Sequence, residues 1–232
     1  MSILRAMTYA LSGADADLVA IGRIIRSQRP ELVCLQNLRD GQLETLAAET
    51  ALEAYGGTGR CGFLSCYALT AVQSCTLKSA GDCLRADLTL GGKRIHLFNL
   101  QLESDPACRG QQLARLFDAD MLGATLPCAT LVGGDFSIPL WGGGQWLLRR
   151  KLTPARHPTW GRSYPSRLPL WPRDRFYLRG PIRSLAGQVV AGPETRQLSR
   201  HLPVVVSLEL TDTREYLRVP EVRKSRMRPA VS

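Results

Sequence analysis

No run of about eighteen consecutive apolar residues occurs in the chain, so no membrane-spanning helix is expected, and residues 1–10 lack the long apolar core of a secretory leader. Cys-x-x-Cys spacing is also missing. The seven cysteines (34, 61, 66, 75, 83, 108 and 128) are odd in number and scattered, which points to neither a closed disulfide framework nor a zinc site. They read as small core residues in a reducing compartment, and a soluble, cytoplasmic protein is expected. Acids are scarce as well: 20 Asp and Glu face 30 Lys and Arg, for a formal charge of +10 and a pI near 9.7. Such a surplus favours an anionic partner, whether nucleic acid, a phospholipid headgroup or a phosphorylated small molecule; a merely soluble basic protein is the plain alternative.

Aromatic residues make up only 6% of the chain, yet all four tryptophans (141, 146, 160 and 171) fall between Asp135 and Asp174. Residues 149–183 hold ten Arg or Lys against a single acid, Asp174. Cations interleaved with rings suit a phosphate backbone and its bases, although tryptophans plugging a core beside a solvated loop give the same pattern. With 232 residues and 44% hydrophobic content, one domain is expected over 1–212. A basic tail, 213–232, follows; as an unstructured segment it could also touch nucleic acid or an anionic membrane surface, and it is one candidate surface for a protein partner.

Hydrophobic periodicity predicts a strand over 3–9, then a helix with an apolar stripe at Leu18, Ile21, Ile24 and Ile25 capped by Asp15 or Asp17. A strand over 32–35 and a helix over 42–54 complete a β-α-β-α opening. Shorter strands are expected over 62–65, 68–72 and 84–90, the last joined to 94–101 across Gly91-Gly92 as a hairpin. Gly57, Gly59 and Gly62 match G-x-G-x-x-G, but a strand follows where a dinucleotide site needs a helix, so that fingerprint is rejected. A helix over 106–122 and a closing strand over 204–210 follow. Between them the apolar run 129–132 reaches Gly133 and Gly134, read as a sharp turn that delivers Asp135 to a strand end. A carboxylate there suits a hard cation or a catalytic proton, or simply caps the next segment.

The strand ends in order carry Ala10, Asn37, Gln101, Asp135, Asp174 and Ser199-Arg200-His201-Leu202-Pro203. This series resembles the endonuclease/exonuclease/phosphatase superfamily, the DNase I-like metal-dependent phosphoesterases. The likeness runs from Met7-Thr8-Tyr9 to Leu202-Pro203-Val204, and residues 163–177 look like a bacterial branch. It implies an α/β fold, a four-layer α-β-β-α sandwich of two packed mixed sheets with the motifs at one end. It also implies active-site roles for Asp135, which would orient the attacking water, for the acid Asp174, and for His201 as general base or transition-state stabiliser.

Five family positions are altered. The phosphate-site Asn is Ala10, the principal magnesium ligand Glu is Asn37, a phosphate-contacting His is Gln101, the Asn beside the water-orienting acid is Ser137, and the Asp preceding His201 is Arg200. Two carboxylates lost and one cation gained leave the pocket three charge units more positive, which opposes a divalent cation. Arg200 is in position to lie against Asp135 or Asp174, and to favour a neutral His201. The expected reading is a degenerate member that binds a phosphate-bearing ligand through Arg149, Arg162, Arg167 and Arg175, with no cofactor. One alternative is an active phosphodiesterase or nuclease using Asp135, Asp174 and His201 with Mg2+ or Mn2+. Another is a structural or interaction subunit with a vestigial pocket.

Overall fold

The computed structural model describes residues 2–12, 16–123, 128–138, 143–155 and 161–211. The tail 213–232, Asp15, Trp141 and Trp160 lie outside them. Strand β1 (Ser2–Ala10) leads to helix α1 (Leu18–Gln28), which starts at Asp17, whose carboxylate accepts the Ala20 N–H at 2.9 Å. Strand β2 (Leu32–Gln36) returns parallel to β1. Helix α2 (Gln42–Thr50) is shorter than its composition predicts: Ala51 turns left-handed (φ 55°), and β3 (Glu53–Gly56) pairs with β4 (Gly62–Ser65), so ladder hydrogen bonds override helix propensity over 51–54.

Strand β5 (Leu69–Thr76) runs past the predicted end through a bulge at Ala71 (φ 50°), because its outer half still finds partners on β6 (Asp82–Leu90). The hairpin to β7 (Lys93–Gln101) turns on Gly91 and Gly92, at φ 57° and 73°, the primed turn that matches strand twist. Helix α3 (Pro106–Leu116) is capped by Asp105, which accepts the Cys108 N–H at 2.8 Å. It ends six residues earlier than predicted, where Asp118 and Asp120 fold back onto Arg115. Strand β8 (Ala129–Asp135), helix α4 (Gly143–Lys151), strand β9 (Thr153–Pro154), strand β10 (Asp174–Arg179), strand β11 (Ile182–Val189), helix α5 (Thr195–Leu198) and strand β12 (Val204–Leu210) complete the described fold.

The strands form two six-stranded mixed sheets, β11-β12-β1-β2-β4-β3 and β5-β6-β7-β8-β10-β9. Alternation along each strand sorts side chains between layers. Leu4, Leu32, Phe63 and Val206 of the first sheet meet Leu84, Leu97, Leu131 and Phe176 of the second in the central core. On the outer faces, α1 and α2 cover the first sheet through Ile21, Ile25 and Leu46, and α3 and α4 cover the second through Leu113, Leu116 and Leu148. This is the four-layer α-β-β-α sandwich. Of the cysteines, Cys34, Cys61 and Cys83 are core residues as predicted, whereas Cys66, Cys75, Cys108 and Cys128 are only partly buried.

Candidate functional site

Inward-facing positions change from apolar to polar at one end of the sandwich. Thr8, Gln36 and Asn99 follow core residues in the inward parity of β1, β2 and β7, and they tie the two sheets together. Gln36 Nε2 donates to Asn99 Oδ1 at 2.6 Å and to Thr8 Oγ1 at 3.0 Å, while Asn99 Nδ2 donates to the carbonyls of Leu35 and Gly62 at 2.8 Å each. One rung further along stand Ala10, Gln101, Asp135 and Asp174, with Gln101 paired to Asp135 across β7 and β8 and Asp135 paired to Asp174 across β8 and β10. The pleat that buries Leu131 and Phe176 therefore aims both acids into the end of the gap between the sheets.

Gly133 and Gly134 are not the predicted turn; β8 runs straight through them. They are required for close approach. A Cβ on Gly133 meets the Phe176 ring at 2.5 Å, and one on Gly134 (φ 140°) meets the Leu100 carbonyl oxygen at 2.0 Å.

Asp135 is 4% exposed. Its Oδ1 accepts the Ser137 N–H at 2.8 Å, the Ser137 hydroxyl at 3.1 Å and Arg173 Nε at 3.2 Å; its Oδ2 accepts Arg173 Nη2 at 3.2 Å. Arg173 Nη2 also donates to Ser104 Oγ at 3.1 Å and to Ser137 Oγ. The guanidinium sits 4.5 Å from the centre of the Tyr164 ring. Sequence reasoning assigned a contact with the acids to Arg200; Arg173 makes it instead. Arg200 is exposed and reaches Tyr164, donating from Nη2 to the phenol oxygen at 2.9 Å with its guanidinium 5.7 Å from the ring centre. The available signal for Arg173 was its place beside Asp174 at the start of a strand, where successive side chains splay apart around one strand end.

His201 is held between the two acids. Its Nδ1 lies 2.9 Å from Asp174 Oδ2 and its Nε2 3.9 Å from Asp135 Oδ2. Asp174 in turn is fixed by its own N–H donating to Ser163 Oγ, and the His201 N–H donates to Ser199 Oγ. Burial disfavours the imidazolium, but the Asp174 carboxylate and Asp135 outweigh it and raise the His201 pKa against an opposing contribution from Arg173. The predicted shift toward a neutral imidazole is therefore reversed, because Arg200 points to Tyr164 and Asp174 supplies the partner acid that position 200 lacks.

The substituted positions serve as structural ties. Asn37 (φ 59°) donates from Nδ2 to the Leu11 carbonyl at 2.8 Å, and its N–H donates to Gln101 Oε1 at 3.0 Å. Ala10 contributes its carbonyl, which accepts the Ser199 hydroxyl at 2.7 Å. Of the predicted phosphate-binding arginines, Arg175 is corrected: it is 6% exposed and donates inward to Gln145, Tyr177 and the carbonyls of Pro172 and Ile138. Its strand position, one residue past Asp174, turns it to the opposite face. Arg149 and Arg162 are exposed, and Arg167 lines a groove of about 600 Å3 together with Arg196 and Arg200. A smaller cleft of about 260 Å3 is lined by Ser104, Ser137, Ile138, Tyr164, Trp171 and Arg173.

Residues 9–201 match the model of the endonuclease/exonuclease/phosphatase family, a span that takes in every strand end just described. The chain belongs to this family. Among solved structures it is similar to a family protein from Bacteroides vulgatus, at 12% identity and a TM-score of 0.77 over 90% of this chain and 100% of that one. A second, from Bacteroides thetaiotaomicron, shows 13% identity and a TM-score of 0.77 over 92% and 100%. TDP2 from Caenorhabditis elegans shows 15% identity and a TM-score of 0.71 over 89% of this chain and 75% of that one. These likenesses establish the shared fold. A search of curated proteins finds no match.

A hard divalent cation needs anionic oxygens free to converge on it. Here Asn37 offers a neutral amide whose nitrogen is already tied to Leu11, Asp174 is paired with His201, and Asp135 carries a guanidinium across both oxygens. Among the described residues no group of three His, Cys, Asp or Glu side chains is arranged to hold a metal. The donor set around Asp135 does not fit Mg2+ or Mn2+.

Proposed function

We propose that this chain is a catalytically impaired member of the endonuclease/exonuclease/phosphatase family that binds a phosphate-bearing ligand. The observation that carries this reading is the seat of Arg173, whose guanidinium neutralises Asp135 and faces the cleft beside Tyr164. Arg173 and Arg200, 4.5 and 5.7 Å from the centre of one aromatic ring, with the hydroxyls of Ser104 and Ser137 nearby, offer charge and hydrogen-bond donors to phosphate oxygens without a metal. Loss of the Glu at position 37 and of ligand convergence removes the stabilisation of developing charge on which hydrolysis depends.

A second reading, a working phosphodiesterase, draws support from the intact Asp174–His201 pair. One experiment separates them. Hydrolysis of a chromogenic phosphodiester and of plasmid DNA is followed with Mg2+, Mn2+ or chelator, for wild type and Asp135→Ala, alongside binding of pyrophosphate across a salt series. Impaired catalysis with phosphate binding predicts no turnover above Asp135→Ala, pyrophosphate affinity falling steeply with salt, and about tenfold weaker binding in Arg200→Ala. Metal-dependent turnover that vanishes in Asp135→Ala establishes the second reading instead.

A further inference from the structure

Cys75 and Cys83 stand directly opposite each other on β5 and β6. Opposed residues on antiparallel strands share a face with Cα atoms about 4.5–5.5 Å apart, inside the range of about 4.4–6.8 Å that a disulfide spans. Both thiols lie on the outer face of the second sheet, where Cys83 is 4% exposed in the cluster beneath α3 and Cys75 packs partly buried against that cluster. Strand β5 is the edge strand of its sheet, so one thiol meets solvent while the other is sealed behind it. We propose that Cys75 and Cys83 form a thiol–disulfide modification site, in which Cys75 reacts with a low-molecular-weight disulfide and Cys83 resolves the adduct.

The chemistry around the pair distributes these roles. The Cys75 pKa is brought down to about 7, first by the facing Cys83 thiol and further by Arg85 and Arg115, against burial and Asp120, while as a thiol Cys75 Sγ donates to the Gln73 carbonyl at 3.8 Å. The same pairing with Cys75, together with burial, holds the Cys83 thiol well above its ordinary value. A partly exposed thiolate near guanidinia attacks well, whereas a buried thiol does not initiate. In the first step the Cys75 thiolate attacks one sulfur of the external disulfide, that S–S bond breaks, and one thiolate leaves. In the second, Cys83 gives its proton to water, its sulfur attacks Cys75, and the second external thiolate leaves. Two protein thiols are oxidised and one small disulfide is reduced to two thiols. The product pins the edge strand to its neighbour across the 77–81 turn.

The test is treatment of the folded full-length protein with oxidised glutathione, followed by peptide mapping under non-reducing conditions. The expected wild-type product links the peptides of Cys75 and Cys83, is two hydrogens lighter, retains no glutathionyl group on either, and reverts with a dithiol reductant. Cys83→Ser is expected to retain one glutathionyl group at Cys75, and Cys75→Ser to leave Cys83 unmodified. Wild-type protein that stays unreacted at Cys75 while Cys66, Cys108 or Cys128 reacts, or that keeps glutathione at Cys75 without closing the link, overturns the proposal. The wild-type arm decides by itself, so an unfolded variant does not obscure the result.

Discussion

The Arg173 guanidinium lies across the Asp135 carboxylate, Nε to Oδ1 and Nη2 to Oδ2 both at 3.2 Å, and Arg173 itself lines the adjoining cleft. Removing the cation leaves a carboxylate that is 4% exposed, with hydrogen bonds from Ser137 and with His201 Nε2 3.9 Å away. Because the Arg173 side chain is 19% exposed, solvent offsets part of the loss. Arg173→Met is expected to lower unfolding free energy by about 1–3 kcal/mol in urea titrations. Arg173→Ala combined with Asn37→Glu returns two free carboxylates to the site. Calorimetric titration is expected to detect Mn2+ binding in the double variant and not in wild type; equal binding by both would show that the guanidinium does not exclude the cation.

His201 links the site to pH. Its folded-state pKa is raised by Asp174 and Asp135 above an unfolded value of about 6.5, so the folded state binds the proton more tightly. The resulting stability is fully present below about pH 6.5 and is lost as pH rises through the folded value. Melting temperatures in a pH series should therefore fall over that window, beyond the trend of His201→Gln. In Asp174→Asn the imidazole pKa, followed by NMR, should drop, because the largest favourable charge is gone while burial still opposes protonation. An unchanged pKa in that variant would remove Asp174 as its cause.

Two glycines provide a matched contrast. A methyl group at Gly134 falls 2.0 Å from the Leu100 carbonyl oxygen at a φ of 140°, with backbone on both sides of the clash. Gly134→Ala is expected to cost about 3 kcal/mol or more and to displace Asp135. Gly110 lies exposed inside α3 with nothing within 4 Å of an added Cβ. Gly110→Ala should stabilise by about 0.5–1 kcal/mol through helix propensity. Urea midpoints of the two variants should move in opposite directions.

The Tyr9 hydroxyl is buried with no hydrogen-bond partner among the described residues, and burial together with Asp174 raises its pKa. Tyr9→Phe keeps the ring in the core under α1 and α2 and removes the unsatisfied oxygen. The variant is expected to be as stable as wild type or more stable by about 1 kcal/mol. A loss of more than 1 kcal/mol would show that the hydroxyl has a partner in the native protein.

Most strands and the first helix were legible in the sequence because hydrophobic alternation and an Asp cap are local signals, and the order of strand-end residues identified the family and its sandwich. That Asp135, Asp174 and His201 meet at one end of the sheets was legible for the same reason: each is carried by a short motif. Helix α2 and strand β3 were misdivided because the pairing of Glu53–Gly56 with β4 is decided by a strand that comes later in the chain. The two glycines looked like a turn because only the neighbouring strands reveal what a Cβ would strike. What the sequence alone determined was the set of charges at this end of the molecule, two acids, one imidazole and an excess of arginine. Which cation meets which acid was decided by the tertiary structure. Arg173, Arg175 and Arg200 are chemically equivalent as letters, and strand pleat and loop path send the first onto Asp135, the second into the core and the third onto Tyr164.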